Sequence, residues 1–340
     1  MPQWRHSNKD FWKGTMKFKE TQIITLTNQK GGCGKTTSAI SIAAAFRELG
    51  YKVAIVDCDP QCNTTTSFGV NPEELFLKNR LSLLDAFLNK RTAADIKIEF
   101  PVERFDDRLS LLPGNKQIGE VGTHLEMEAF MATRFNRPEI DQDAIKDEQR
   151  SRLKQSLASL RGIYDVVLID TPPNLGFLMT SALVAADWFI IPVFASEYDL
   201  VGLEDLTVTI NKIRQKYNSG LQLAGVLQGN FDKRTNLDRQ VNAMLKKKFT
   251  PEAVFETVIS RSVKLREMTF SHQTVFEFPD TKQLADDYLS LAKEMINRAM
   301  RGKELLKPLP NLEHVIEHAR SSKIDMGNLG QEFSKEVSNG

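Results

Sequence analysis

Short apolar runs alternate with longer amphipathic stretches along most of this chain, and the alternation predicts its fold. The runs cover 22–27, 52–57, 109–113, 165–170, 188–193, 221–227 and 253–258. Each is near-continuous in hydrophobicity, as strands covered on both faces are. Between them, 38–49, 149–160, 199–217, 237–248 and 282–300 carry apolar residues near helical spacing. Strand–helix alternation of this kind predicts an α/β fold, doubly wound, with a mostly parallel sheet flanked by helices. The segment 126–146 is charged and contains Arg137-Pro138, so it reads as a surface excursion leading into a helix. One domain is expected over 21–302, with an extension at 1–20 and a polar tail at 303–340.

The first strand runs directly into Asn28-Gln29-Lys30-Gly31-Gly32-Cys33-Gly34-Lys35-Thr36-Thr37. This is a glycine-rich phosphate loop between a strand and a helix. Its backbone N–H groups cradle phosphates, Lys35 reaches the β/γ oxygens, and the Thr36 hydroxyl sits on Mg²⁺. The helix N-terminus adds partial positive charge to the same place. A glycine turn without a ligand is the bland alternative, but loop, lysine, hydroxyl and flanks all agree. Lys30, before the glycines, is a lysine that an ordinary phosphate loop does not require.

Two other strands end in carboxylates, at the sheet edge where open α/β proteins bind ligands. One closes with Asp57-Cys58-Asp59-Pro60-Gln61, the other with Asp170-Thr171-Pro172-Pro173. Asp170 after an apolar run is a Walker-B arrangement, whose aspartate holds Mg²⁺, often through water. Either aspartate could merely cap a turn. After a phosphate loop, and in this order, capping is the weaker reading.

Composition adds few limits. A net charge of +1 over 340 residues argues against a globally basic nucleic-acid coat but leaves room for a local patch. Cys33, Cys58 and Cys62 form neither paired metal spacing nor an even disulfide set. With no membrane-length apolar stretch and no secretory signal, a cytoplasmic, soluble protein is expected.

Lys30-Gly31-Gly32-Cys33-Gly34-Lys35-Thr36-Thr37, Asp57-Cys58-Asp59-Pro60-Gln61 and Asp170-Thr171-Pro172-Pro173 together resemble the ParA/Soj group of deviant-Walker-A ATPases. The likeness continues through Phe231–Leu237, Phe255–Ile259 and the final helix, so it spans about 21–300. The resemblance implies an ATP-gated homodimer with two nucleotides sandwiched between subunits. Lys30 would cross to the facing subunit's phosphates, stabilising charge as an arginine finger does. Lys35 would serve its own subunit, Thr37 would touch the α-phosphate, and Gly31, Gly32, Cys33 and Gly34 would line the phosphates. Asp59 would position the attacking water, while Thr36, Asp57 and Asp170 would form the Mg²⁺ shell. Asn230 is a candidate for reading adenine, or a structural turn residue.

The same resemblance implies DNA binding without sequence preference and a centromere-binding, ParB-like adaptor on the nucleoid. Within 228–266, Lys233, Arg234, Arg239, Lys246, Lys247, Lys248, Arg261, Lys264 and Arg266 outnumber Asp232, Asp238, Glu252 and Glu256. That local excess suits a phosphate-contacting patch, although charged helices are commonly just solvated faces. Arg234, Arg261 and Lys264 are the expected DNA contacts. The sequence departs from the family at Cys62, where glycine is frequent, at Ser260, where proline is common, and at Met268-Thr269-Phe270, where a small-residue-and-proline turn is usual.

Rival classes fit less well. A MinD-like membrane ATPase should end in a basic amphipathic helix, which 327–340 lacks. An iron–sulfur relative needs cysteines beyond Cys62, and a tyrosine kinase of this superfamily would carry tyrosines beyond Tyr288. Two alternatives stay open: a ParA-type ATPase that positions a protein cargo, and a nucleotide switch with little turnover. The extension, with Trp4, Phe11, Trp12 and Phe18 among basic residues, is expected to pack on the core; it is too short for a helix-turn-helix domain.

Overall fold

The computed structural model describes residues 18–78, 81–136, 141–194, 197–249 and 251–300. In chain order its strands are β1 (Gln22–Leu26), β2 (Val53–Asp57), β3 (Ile98–Glu99), β4 (Leu109–Leu112), β5 (Val166–Asp170), β6 (Trp188–Val193) and β7 (Gln222–Gln228). They join one sheet in the order β3-β4-β2-β5-β1-β6-β7. Among the described residues only the short edge strand β3 runs antiparallel, against β4. The helices are α1 (Lys35–Glu48), α2 (Asn63–Ser67), α3 (Pro72–Leu77), α4 (Leu83–Phe87), α5 (Ala93–Ile96), α6 (Val102–Phe105), α7 (Val121–Met131), α8 (Gln142–Leu157), α9 (Phe177–Ala185), α10 (Glu197–Lys216), α11 (Asn236–Phe249), α12 (Lys264–Phe270) and α13 (Lys282–Met300).

Successive residues of a strand point to opposite faces, and here both faces are filled. Val53, Ile55, Val166 and Leu168 pack with Phe46 of α1 and Tyr288 and Leu291 of α13. Ala54, Val56, Val167 and Ile169 pack on the other face with Leu153 of α8, Met179 of α9 and Leu206 of α10. This is the doubly wound arrangement that the uninterrupted apolar runs predict. Helix α1 stops at Gly50, whose φ of 92° lets the chain turn back toward β2.

Three expectations need correction. The stretch 253–258 is not a strand: it makes one bridge, Val226 to Val254, and comes after a turn of 3₁₀ helix at Pro251–Ala253. The segment 126–146 leads into a helix from the surface as expected, but its described part is itself helical: α7 covers its start and α8 begins at Gln142, seven residues before the predicted helix. Helix α7 buries a narrow stripe of Val121, Leu125 and Ala129, spaced four apart, most of which lies before residue 126. Helix α9 and the short helices between β2 and β4 were not foreseen either. At the amino end, the Phe18 ring lies 5.3 Å from Tyr51 and 6.4 Å from Phe46, so this residue packs on the core as expected. Trp4, Phe11, Trp12, Arg137-Pro138 and the tail from 301 onward lie outside the described residues.

Candidate functional site

The parallel register brings three strand ends to one edge. Leu26 of β1 is level with Asp170 of β5, and Asp170 is level with Asp57 of β2. The phosphate loop leaves β1 at this edge. Asn28, buried under the loop, donates through Nδ2 to Pro192 O at 2.8 Å and accepts the Lys30 N–H at 3.0 Å. Gly32 and Gly34 adopt φ of 76° and 85°, in the left-handed region. A Cβ on Gly34 would meet the Phe194 ring at 2.9 Å, and one on Gly229 would meet the same ring at 2.8 Å. Nothing lies within 4 Å of a Cβ built on Gly31 or Gly32, so the outer side of the loop is open.

Lys35 is buried and reaches back across the loop. Its Nζ donates to Lys30 O at 2.8 Å and Asn28 O at 3.0 Å, with Cys33 Sγ at 3.8 Å. Two of the three ammonium hydrogens hold the loop closed. The third, spent on a long sulfur contact, is the one a phosphate oxygen would take. Cys33 is buried, and its thiol donates to Lys30 O at 3.2 Å, a structural rather than an exposed reactive position. Thr36 and Thr37 stand half-buried on the first turn of α1, and Lys30 half-buried at the loop's entrance.

Beside the loop lie the carboxylates. Asp57 is fully buried; its Oδ2 accepts from Thr65 N at 2.7 Å and Thr65 Oγ1 at 2.6 Å. Burial first, then the charge of Asp170, push it up to about 7 despite those hydrogen bonds. Asp170 accepts from Thr64 Oγ1 at 2.8 Å and is hydrogen-bonded to Thr36. Burial raises it to about 6, with hydrogen bonds from Thr36 and Thr64 opposing and Asp59 adding. Asp59 is buried too and accepts the Gln61 N–H at 2.9 Å. Gly114 closes this network: its N–H donates to Thr65 Oγ1 at 2.9 Å, and a Cβ there would lie 2.8 Å from Asp57 O. Thr64, Thr65 and Gly114 were missed by sequence reasoning. Only the threonine run 64–66 just past the acidic motif hinted at them.

These residues fit a divalent cation. Asp170 Oδ1 is buried without a hydrogen-bond partner, and both Asp57 and Asp170 are raised, by burial first and by neighbouring acids second, the Lys35 charge only partly opposing at Asp170. Among the described residues no three His, Cys, Asp or Glu side chains converge as a protein-only metal cage. A cation here would therefore lean on the Thr36 hydroxyl, phosphate oxygens and water, the style of magnesium. Cys62 starts α2 at φ 54°, which explains why glycine suits this position in the family.

Of the remaining predicted residues, Asn230, Arg234 and Arg261 lie on two loops joined by the Phe231–Ser260 bridge, and Lys264 opens α12 just beyond. Asn230 is exposed with φ 54°, a turn conformation asparagine tolerates, directly after the Gly229 that packs on Phe194. Arg234 is 84% exposed and forks onto Asp232, with Nε at 2.9 Å from Oδ1 and Nη2 at 2.7 Å from Oδ2. Arg261, exposed, adds its charge to the same aspartate. Lys264 pairs with Glu267 at 2.9 Å. The bridge thus brings Arg234 and Arg261 together, while Arg234 is matched by an acid of its own loop and Lys264 by an acid one turn along α12. The side chains of Lys248 and Arg266 lie outside the described residues.

Comparison with known proteins agrees with this geometry. A family described as an AAA domain matches residues 21–223. The sporulation initiation inhibitor protein Soj of Bacillus subtilis is 33% identical over 274 residues, covering 81% of this chain and 98% of that protein. The chromosome-partitioning ATPase Soj of Thermus thermophilus is 35% identical over 280 residues, 82% of this chain and 97% of its own. Among solved structures, cobyrinic acid a,c-diamide synthase from Mycobacterium smegmatis with bound ADP and magnesium superposes with a TM-score of 0.65 at 27% identity, covering 82% of this chain and 96% of that one.

Proposed function

Because this chain belongs to the ParA/Soj family of P-loop ATPases, we propose that it forms an ATP-sandwich dimer, binds DNA without sequence preference, and drives partition of plasmid or chromosomal DNA with a centromere-binding adaptor. The reading rests most on the alignment of the phosphate loop with Asp57 and Asp170 at one sheet edge, with a second lysine, Lys30, at the loop's mouth.

The chain's own groups divide the work. Lys35 and the loop N–H groups hold the phosphates, and Lys30 offers charge to the facing subunit's phosphates as oxygen charge grows in the transition state. Magnesium, when bound, neutralises the β- and γ-phosphate oxygens. Thr36 presents its hydroxyl to that ion, with Asp170 and Asp57 behind it. Asp59 orients the attacking water. Thr64 and Thr65 fix the two inner carboxylates, so ligand entry at the phosphate site also acts on α2.

Arg234, Arg261 and Lys264 supply the DNA surface. Their pairing with Asp232 and Glu267 weakens a single subunit's field, which makes binding depend on doubling the surface by dimerisation. The same pairing favours, as a second reading, a protein cargo in place of DNA.

The test is DNA binding by the purified protein with ATP, with ADP and without nucleotide, across a salt series. Tight binding with ATP alone, equal for unrelated sequences and falling steeply with salt, is expected. Lys30→Ala and Asp59→Ala should abolish partner-stimulated hydrolysis. No DNA binding in any state would refute the partition reading, and full turnover in both variants would refute the residue roles.

A further inference from the structure

Helix α2 is held at both ends by different parts of the molecule. Its first turn is tied to the phosphate site, through Thr64 to Asp170 and through Thr65 to Asp57. Its exit, Phe68, is bound by Arg104 of α6, whose Nη1 donates to Phe68 O at 3.3 Å. The Phe68 ring packs on Phe100 at 5.2 Å and Phe105 at 6.0 Å, and the Arg104 guanidinium covers the latter ring at 4.6 Å.

Arg104 has two further partners, and both lie just past α12. Its Nη2 donates to His272 O, and its Nε lies 3.0 Å from Glu277 Oε1. Glu277 in turn accepts the Thr274 N–H at 2.8 Å. The 271–273 segment is not a loose loop: Ser271 N bonds Glu267 O at 3.0 Å, and Gln273 N bonds Met268 O at 3.0 Å. His272 O therefore belongs to the carboxyl-terminal cap of α12, where a guanidinium also meets the negative end of the helix dipole. Lys264 and Arg261 sit at the other end of this seven-residue helix and just before it.

There is also room for movement. A cleft of about 420 Å³ lies along α2, lined by Gln61, Thr66, Gly69, Lys116 and His272. Gly69, at φ 80°, approaches the His272 ring across it. Helix α2 can shift into this space without compressing a packed core.

We propose that Arg104 is the positioning residue through which the state of the phosphate site reaches α12 and the basic surface at its start. It acts by clamping the exit of α2 and the cap of α12 to one guanidinium. This deepens the DNA-binding reading and rests on it for biological meaning, although the mechanical link itself does not require DNA. A shift of Thr64 and Thr65 on nucleotide binding moves Phe68, and Arg104 carries the shift to His272 and Glu277.

Two measurements on the full chain test the link. Hydrogen exchange over 264–278 is followed with and without ATP and magnesium, and DNA affinity is compared between ATP and ADP. In the wild type, ATP should change exchange in this segment at least about fivefold, in line with ordinary coupling strengths. Arg104→Gln should abolish that change and lower the ATP-to-ADP ratio of DNA affinities, leaving the part due to dimerisation, with ATP affinity within about twofold of wild type. Arg104→Lys, which keeps only part of the clamp, should fall between, and the milder Glu277→Gln should weaken the response in a protein that folds normally. Exchange in 264–278 that ignores ATP in the wild type, or responds fully in Arg104→Gln, overturns the proposal. Absence of DNA binding with an intact exchange response would refute the partition reading and leave the link standing.

Discussion

Asp57→Asn should stabilise this protein when nucleotide and metal are absent, and more so at alkaline pH. An unfolded aspartate ionises near 3.8, whereas burial and Asp170 hold folded Asp57 at about 7. Between those values unfolding releases a proton, so stability falls as pH rises from about 4 to 7 and is level above. A pKa difference of that size corresponds to roughly 4 kcal/mol at about 1.4 kcal/mol per tenfold in proton affinity. Burial is the larger cause of the shift and the Asp170 charge the smaller; because the two carboxyls titrate together, about half of it, roughly 2 kcal/mol, is expected from the single substitution. Asparagine keeps the Thr65 contacts through its carbonyl oxygen and gives up the longer Asp59 N–H contact of 3.3 Å to Oδ1, so the change removes the charge at the cost of one weak hydrogen bond. Urea unfolding of both proteins in a chelator at pH 5, 6, 7 and 8 measures it. The advantage of the variant should grow by about 1 to 2 kcal/mol from pH 5 to pH 8. A gap that stays constant over this range, or a variant less stable at pH 8, would refute the claim that uncompensated charge is stored at this edge. With the charge confirmed, the site relieves strain of its own making when a cation binds, a common reason that binding sites are not optimised for stability.

Two other outcomes are expected from the geometry. Gly34→Ala places a methyl 2.9 Å from the Phe194 ring at a φ of 85°, so the melting temperature should drop by about 5 to 10 °C; a melting curve like that of wild type would show that the ring is not wedged against the loop. Asp232→Asn and Glu267→Gln free Arg234 and Lys264 from their local partners, so DNA affinity should rise by about twofold to fivefold each and the salt slope should steepen. Unchanged affinity would place the DNA surface elsewhere.

What the sequence determined by itself was the chemistry carried by contiguous residues. A phosphate loop needs glycines, a lysine and a hydroxyl at fixed spacing, and buried parallel strands need unbroken apolar runs; both leave a local record. The acids at the ends of β2 and β5 were legible for the same reason. Segment 126–146 was not, because α7 buries only a narrow stripe, most of it before residue 126, and leaves Met127 and Phe130 exposed, so no clear apolar period marks the helix.

Tertiary structure alone decided which distant residues complete the site. Thr65 meets Asp57 and Gly114 across 8 and 49 positions, and Thr64 meets Asp170 across 106. Phe194 selects glycine at both 34 and 229, and Arg104 finds Glu277 across 173 positions. No periodicity encodes such pairs, since each depends on strand order and on where loops leave the sheet. The sheet's parallel register decides them, by bringing the ends of β1, β5 and β2 level and gathering the loops that leave those strands at a single edge.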